Sequence, residues 1–115
     1  MIIRRQERAV KEVEGLRQGT GVAIINTIAS SEQTFDHAKM YANITLRKGC
    51  GIGYHNHVDE AEIIMVNSGK ATYNDDGKES EAYPGDVLIC EDGHFHSIRN
   101  EYDEELIITA LVIKK

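Results

Sequence analysis

The sequence predicts an all-β protein built as one domain. Short runs of apolar and β-branched residues recur along the chain, and turn residues separate them. Residues 40–46 alternate apolar with polar side chains, which is the period-2 pattern of a strand with two unlike faces. The 115 residues are enough for one ordinary domain and too few for two. Roughly seven to nine strands at this spacing indicate a sandwich or barrel.

The N-terminal residues differ in composition from the rest of the chain. Residues 6–18 are charged and are compatible with a short helix or with an irregular arm. The first β-type run follows at residues 21–29, which are rich in β-branched residues. We therefore expect a single domain over residues 1–115, with an N-terminal arm at about 1–20 and the main barrel at about 38–113.

Later strands are bounded by turn residues. Residues 74–77 read Asn-Asp-Asp-Gly and predict a tight turn in which Gly77 takes a positive φ. The run at 106–113 is almost continuously apolar and predicts a strand buried on both faces. The strands predicted after the first run are 40–46, 63–67, 70–73, 86–90, 97–100 and 106–113.

Composition excludes several classes of protein. The chain has 13 Lys and Arg against 19 Asp and Glu, a net charge of −6, and no concentrated basic stripe, so we expect no nucleic-acid partner. The longest apolar run is too short to span a membrane, and the N-terminus lacks the apolar segment of a signal peptide. The 2 cysteines are then expected as reduced thiols in a cytoplasmic protein.

Four of the 5 histidines form two His-x-His pairs. Residues i and i+2 of a strand project to the same face, so His55 and His57 can present their imidazoles side by side. Glu62 would share that face if a turn or bulge after His57 resets the register, and His96 would join from another strand. Three imidazoles and a carboxylate suit Mn, Fe, Co, Ni, Cu or Zn. Histidines that are merely hydrogen-bonded remain the alternative.

The segments around these histidines resemble the two motifs of the cupin family. Residues 49–69 read G-x5-H-x-H-x4-E-x6-G and carry every fixed position of the first motif. Residues 85–100 read G-x5-E-x-G-x2-H-x3-N, in which Glu91 replaces the usual Pro while Asp92 and Gly93 still supply turn chemistry. The resemblance implies an antiparallel double-stranded β-helix, or jelly-roll barrel, with a metal deep in one open end. It assigns the ligands as His55, His57, Glu62 and His96.

The resemblance also implies a cofactor and partners. One divalent metal per chain is expected, with Mn favoured and Fe, Ni, Co or Zn also compatible. An ionised Glu and three neutral His would leave a divalent ion near +1, so open positions would favour a small anionic or chelating ligand. A homodimer is expected from the family, and continuous apolar strands in so small a chain agree with that.

Within the family, residues 38–113 are most similar to small single-domain bacterial cupins that resemble one half of an oxalate decarboxylase. Those enzymes carry an Arg three residues before the first metal His, where this chain has Ile52. They also use an acidic residue on a lid loop, and no insertion here could supply such a lid. Both departures argue against efficient decarboxylation and leave carboxylate binding open.

Two residues are candidates for catalysis beside the metal. His94 could act as a general acid or base, or it could be a solvent-facing loop histidine. Tyr41 could line the cavity as a hydrogen-bond donor, or it could face outward if the apolar set of 40–46 packs inside.

Two functional hypotheses follow from these residues. The first is a metalloenzyme, a lyase or oxygenase that acts on a small carboxylate with the metal as Lewis acid. The second is a non-catalytic, metal-dependent binding or sensor protein for a small molecule. A scaffold with an empty site is the third and weakest alternative, because all four ligand positions are intact.

Overall fold

The structure is a computed structural model that describes residues 1–115, and it consists of ten β-strands in two antiparallel sheets. The all-β prediction is confirmed. Only two short 3-10 helices interrupt the strands, at Arg5–Glu7 and Leu16–Gln18. The strands are β1 Val10–Glu14, β2 Val22–Thr27, β3 Ala38–Leu46, β4 Gly51–Asn56, β5 Glu60–Ser68, β6 Ala71–Asp75, β7 Lys78–Ala82, β8 Val87–Cys90, β9 Phe95–Arg99 and β10 Leu106–Lys114.

The two sheets form the antiparallel jelly-roll barrel expected from the sequence. Six strands make the larger sheet in the order β1-β2-β3-β10-β5-β8, and four make the smaller one in the order β4-β9-β6-β7. Consecutive strands often lie in different sheets, so the chain crosses repeatedly between the two layers. One such crossing, from β4 to β5, builds the functional site described below.

The core lies between the sheets and follows the period-2 pattern. Ala42, Ile44 and Leu46 of β3 are fully buried, and the intervening residues are only half-buried. The apolar set of this strand therefore faces the interior, as strand alternation requires. The neighbouring β10 contributes Leu106 and Ile108 to the same core.

The prediction that β10 is buried on both faces is wrong. β10 is hydrogen-bonded along both of its edges, to β3 and to β5. Only one of its faces packs against the second sheet, and Ile107 and Leu111 on the other face are half-buried. The apolar run thus reflects a central strand whose outer face is incompletely covered.

The N-terminal segment was expected to be a short helix or an irregular arm, but part of it is a β-strand. Val10–Glu14 forms β1, which pairs with β2 in the register Val10↔Asn26 to Glu14↔Val22. Alternation puts Lys11 and Val13 on one face, and Val13 packs against the core. The charged composition suggested a helix, but the open edge of β2 supplies backbone partners that a strand can use.

The polar strand β7 was also not predicted. It is an edge strand with four exposed residues, and it pairs only with β6. The turn before it was predicted, and Asp76 and Gly77 both take positive φ there, 54° and 97°. This two-residue turn fixes the register of a strand whose side chains carry no core pattern.

A loop from the N-terminal segment lies directly against β4. A Cβ on Gly53 would stand 2.0 Å from the backbone oxygen of Arg17, so only glycine permits this contact. Arg17 and Gln18 both adopt left-handed φ, 53° and 62°, which costs about 1–3 kcal/mol per residue and persists only where packing holds it. None of the helices is long and apolar enough to cross a membrane.

Candidate metal centre

Three histidines and one glutamate come together from both sheets. His55 on β4 and His96 on β9 are direct cross-strand partners in the smaller sheet. His57 follows the end of β4, and Glu62 lies on β5 of the larger sheet. The centre therefore sits where the two layers join, at one end of the barrel.

The crossing from β4 to β5 explains how Glu62, five residues after His57, shares a face with the histidines. Asp59 takes a left-handed φ of 59°, and its backbone N–H donates to Asp92 Oδ1 at 2.7 Å. The chain thereby turns out of the smaller sheet before Glu60 begins β5. This turn resets the register, as expected, and brings the Glu62 carboxylate to the imidazoles.

The candidate donor atoms converge on a small volume. One ligand atom from each of the four residues can be chosen so that all lie within 4.8 Å of one another. His57 Nε2 and His96 Nε2 are each 3.0 Å from Glu62 Oε1, and the two nitrogens are 3.0 Å apart. His57, Glu62 and His96 are buried, and His55 is half-buried. This group could hold a metal ion.

The donor set fits a divalent cation on physical grounds. Two imidazole nitrogens and a carboxylate oxygen that converge at 3.0 Å repel one another unless a proton or a cation lies between them. Imidazole nitrogens and carboxylate oxygens are ligand types that Mn, Fe, Co, Ni and Zn accept. The donor set therefore suits a divalent ion of this group.

Each imidazole has a separate partner for its second nitrogen. His55 Nδ1 donates to the carbonyl oxygen of Gly53 at 2.6 Å, and His96 Nδ1 bonds the hydroxyl of Tyr73 at 2.9 Å. His57 Nδ1 donates to Glu60 Oε2 at 2.5 Å. These contacts turn the Nε2 atoms of His57 and His96 toward Glu62 and fix the ring orientations.

Glu60 and Tyr73 were not identified from the sequence. Glu60 is buried and is held on its other oxygen by Lys39 Nζ at 2.7 Å. Tyr73 lies in the core on β6. The presence of Glu60 two residues before Glu62 on the same face of β5 could have pointed to the first, but nothing local to Tyr73 indicates a histidine partner.

The electrostatics of the centre follow from these contacts. Burial works to raise the pKa of Glu62, but hydrogen bonds from His57 and His96 lower it to about 2. The pKa of His57 is raised, mainly by its hydrogen bond to Glu62. The pKa of His55 is lowered, chiefly by burial and in part by the nearby charges of His96 and Arg17. Glu62 is therefore an anion at neutral pH, ready to ligate a cation.

A cavity of about 590 Å³ opens from the centre to the surface. His55, His57 and Glu62 line its inner part, together with the apolar side chains of Ile52 and Met40. Farther along its wall lie three cationic residues from the N-terminal half of the chain, Lys11, Arg17 and Lys39. The cavity combines side chains that could hold a metal, an apolar wall and positively charged groups around a space large enough for a small organic ligand.

The structure does not bring the two candidate catalytic residues to the centre. His94 precedes β9, is 55% exposed and bonds Asp76 Oδ2 at 2.6 Å, outside the cavity. Tyr41 lies at the cavity rim, where its carbonyl oxygen accepts from the backbone N–H of Ile28 at 2.8 Å. Its side chain alternates with buried Ala42 and so points away from the barrel interior.

The departure at Glu91 does not disturb the centre. The backbone N–H of His94 donates to Glu91 O at 3.1 Å, and Gly93 takes a φ of 86°. Gly93 N–H also donates to His57 O at 2.7 Å. Backbone bonds therefore close this turn without the usual proline and tie it to the histidine that precedes the sheet crossing.

Comparison with known proteins gives consistent matches over the barrel. The family described as "Cupin domain" matches residues 42–113. An oxalate-binding protein from Thermotoga maritima is 29% identical over 113 residues, which is 98% of this chain and 93% of the relative. A crystal structure from the same organism, described as a predicted oxalate decarboxylase, superposes with a TM-score of 0.95 at 29% identity and covers 100% of both chains.

More distant structures share the fold alone. KdgF from Halomonas sp. superposes with a TM-score of 0.77 at 16% identity, over 100% of this chain and 94% of that one. An uncharacterised Klebsiella pneumoniae protein with a double-stranded β-helix domain gives a TM-score of 0.74 at 21% identity, over 98% and 89% of the two chains.

Proposed function

The chain belongs to the cupin family, and from this we propose that it is a metal-dependent binding protein for small carboxylates. The observation that carries the proposal is the cluster of His55, His57, Glu62 and His96, three members of which line an open cavity. A divalent ion held there would supply Lewis-acid attraction for a carboxylate oxygen. The oxalate-binding relative, similar over nearly the whole chain, supports this class of ligand.

The residues around the centre favour binding over catalysis. Glu60 is the other acidic residue of the cavity lining besides Glu62, and both its oxygens are engaged, by His57 and by Lys39. Ile52 occupies an apolar part of the wall. Removal of carbon dioxide from a carboxylate requires a group that delivers a proton at the reacting carbon. Of the two functional hypotheses, the second is therefore better supported.

We propose Mn as the resident ion, with Fe, Co, Ni and Zn as alternatives. Three imidazoles and one carboxylate are ligand types that all of these divalent ions accept. Tyr73, Glu60 and Gly53 would hold the imidazoles in the same orientation for any of these ions.

Elemental analysis and calorimetry test the proposed function. We expect about one divalent ion per chain in untagged protein, and loss of that ion in His96→Ala and His57→Ala while the barrel stays folded. Oxalate added to the metal-loaded protein should release heat with a defined stoichiometry, and should not bind the metal-free protein. Failure to load any divalent ion, or loading without oxalate binding, would contradict the proposal.

Catalysis is the second candidate function. The match to a structure described as a predicted oxalate decarboxylase favours it. Metal-loaded protein incubated with oxalate would then yield formate and carbon dioxide, which nuclear magnetic resonance detects. Binding without formate formation under air and under argon would leave the binding function as the sole one.

We also propose that the chain is a homodimer in the cytoplasm. The outer face of the larger sheet carries an apolar patch that a second copy could cover, formed by Tyr41, Ile63, Met65, Val87, Ile89 and Leu111. Both cysteines are free, which agrees with a reducing compartment. Cys90 is buried, and burial raises the pKa of its thiol to about 11, so this thiol is poorly reactive.

A further inference from the structure

Arg17 is a cation in the cavity wall that has no protein partner. It lines the same cavity as His55, His57 and Glu62, yet its guanidinium makes no hydrogen bond or ion pair with any residue of the chain. Lys39, by contrast, is bound to Glu60. A guanidinium left unpaired beside a metal centre is available for an anion, and its planar fork matches a carboxylate with two parallel hydrogen bonds.

The position of Arg17 is fixed by its backbone. The loop that carries it packs directly on β4, where Gly53 leaves room for the Arg17 carbonyl oxygen. Gly53 stands two residues before His55, so the contact sets the loop beside the metal centre. Arg17 holds a left-handed φ of 53°, a conformation that an arginine adopts only where surrounding packing imposes it. The fold thus maintains a strained backbone at the residue that presents the free cation.

Arg17 is a better anion anchor than its neighbour Lys11. Both side chains are exposed, Lys11 on the edge strand β1 and Arg17 in the loop that packs on β4. Arg17 acts electrostatically on the ring of His55, as described above, and its donors are preorganised in one plane. Because the chain carries a net charge of −6, attraction for an anion has to come from such local cations rather than from the whole molecule.

We propose that Arg17 is a second anchor for the ligand, so that the cavity selects dicarboxylates over monocarboxylates. One carboxylate would bind at the centre formed by His55, His57, Glu62 and His96, and the other would bind the Arg17 guanidinium. The inference rests on the proposed function, because it requires a metal that takes the first carboxylate. The inference adds Arg17 as a specificity-determining residue that lies outside the two cupin motifs.

Calorimetry on the metal-loaded full chain tests this inference. Malonate and succinate are compared with acetate and propionate, and the ratio of affinities is measured for the wild type, for Arg17→Gln and for Arg17→Lys. Loss of one charge-assisted contact is expected to weaken dicarboxylate binding about tenfold or more in Arg17→Gln, with acetate binding unchanged. Arg17→Lys should recover part of the preference. Arg5→Gln is the matched control, since Arg5 is exposed and lies outside the cavity.

The outcomes separate the inference from the proposed function. Metal content is measured for every variant, so that a lost ion is not mistaken for a lost anchor. A wild type that loads metal and binds no carboxylate would overturn the proposed function and the inference with it. A wild type that binds dicarboxylates, with an Arg17→Gln variant that keeps the same preference or weakens both ligand classes equally, would overturn only the inference.

Discussion

Glu60 determines which nitrogen of His57 faces the metal centre. An ionised carboxylate can only accept, so the 2.5 Å contact places a proton on His57 Nδ1 and leaves the Nε2 lone pair of the neutral ring for a metal. Lys39 holds the carboxylate in turn. The three residues form a chain of charge-assisted bonds that orients the ligand without touching the ion.

The variant Glu60→Gln tests this positioning role. Loss of the negative charge weakens the grip on His57 Nδ1–H and lowers the basicity of the ring, so metal affinity should fall about tenfold or more. Competition with a coloured chelator measures the affinity, and circular dichroism checks the fold. Glu32→Gln is the control, because Glu32 is exposed and its side chain has no partner. Equal affinities for the two variants would rule out the role.

The ionisation of the cluster predicts how the stability of the metal-free protein depends on pH. The pKa of Glu62 is lowered from 4.5 to about 2, so its stabilising contribution is full above pH 4.5 and is lost as the pH falls toward 2. The pKa of His57 is raised from 6.5, so its contribution is full below pH 6.5 and is lost as the pH rises through the raised value.

We therefore expect the cluster to stabilise the metal-free fold most between pH 4.5 and 6.5. Thermal unfolding in the presence of a chelator, followed across the acid and neutral ranges, measures this. In Glu62→Gln, the melting temperature should no longer show the decrease on the acid side that comes from protonation of Glu62. A Glu62→Gln profile that parallels the wild type throughout would show that Glu62 is not the titrating group.

At the scale of elements, the contact between the 15–19 loop and β4 is the least tolerant of change. A Cβ at position 53 would meet Arg17 O at 2.0 Å and Gly19 N at 2.9 Å, both backbone atoms that cannot rotate away. The loop would have to leave β4, and Arg17 would leave the cavity wall with it. Because β4 also carries His55, strain there reaches the metal centre directly.

Gly53→Ala should lower the melting temperature by several degrees, through overpacking of about 1–3 kcal/mol. Differential scanning calorimetry of the metal-free protein measures the change. Gly85→Ala is the comparison, since Gly85 has a φ of 93° and open space around it, so that only backbone strain contributes. A Gly53→Ala variant as stable as the wild type would show that the loop is free to detach.

At the scale of the whole molecule, the two sheets have different outer surfaces. The outer face of the larger sheet exposes Met65, Val87 and Ile89 by about half of their area, at 44%, 50% and 55%. β7 on the smaller sheet presents charged and polar side chains instead. A contiguous apolar face of this kind is typical of an interface between subunits.

The variant Ile89→Lys tests the proposed dimer. A lysine in the middle of the apolar face would place an unpaired charge in the interface, so the dimer should dissociate at micromolar concentration. Light scattering after size-exclusion chromatography should give twice the chain mass of 12.9 kDa for the wild type and for Ser80→Lys on the opposite sheet. A monomeric wild type would remove the proposal.

The β class, most strands and the four candidate metal ligands could be predicted from the amino-acid sequence. These features depend on local sequence patterns. The alternation over residues 40–46 indicates which face of the strand is buried, and the spacing of His55, His57 and Glu62 can be recognised without knowing how the sheets pack. The turn at Asp76 and Gly77 is equally local, since its residue types alone permit two consecutive positive φ values.

The surroundings of those ligands depend on how the strands and loops pack together. β1 and β7 are polar edge strands whose formation depends on an open neighbouring edge rather than on their own composition. Tyr73 reaches His96 from another strand, and Glu60 reaches His57 across the turn between the two sheets. Arg17 enters the cavity wall on a left-handed backbone held by packing. His94 has the right spacing and lies elsewhere, because a turn before β9 points it at Asp76. Spacing fixes which donors can meet, whereas packing between layers decides which side chains surround them.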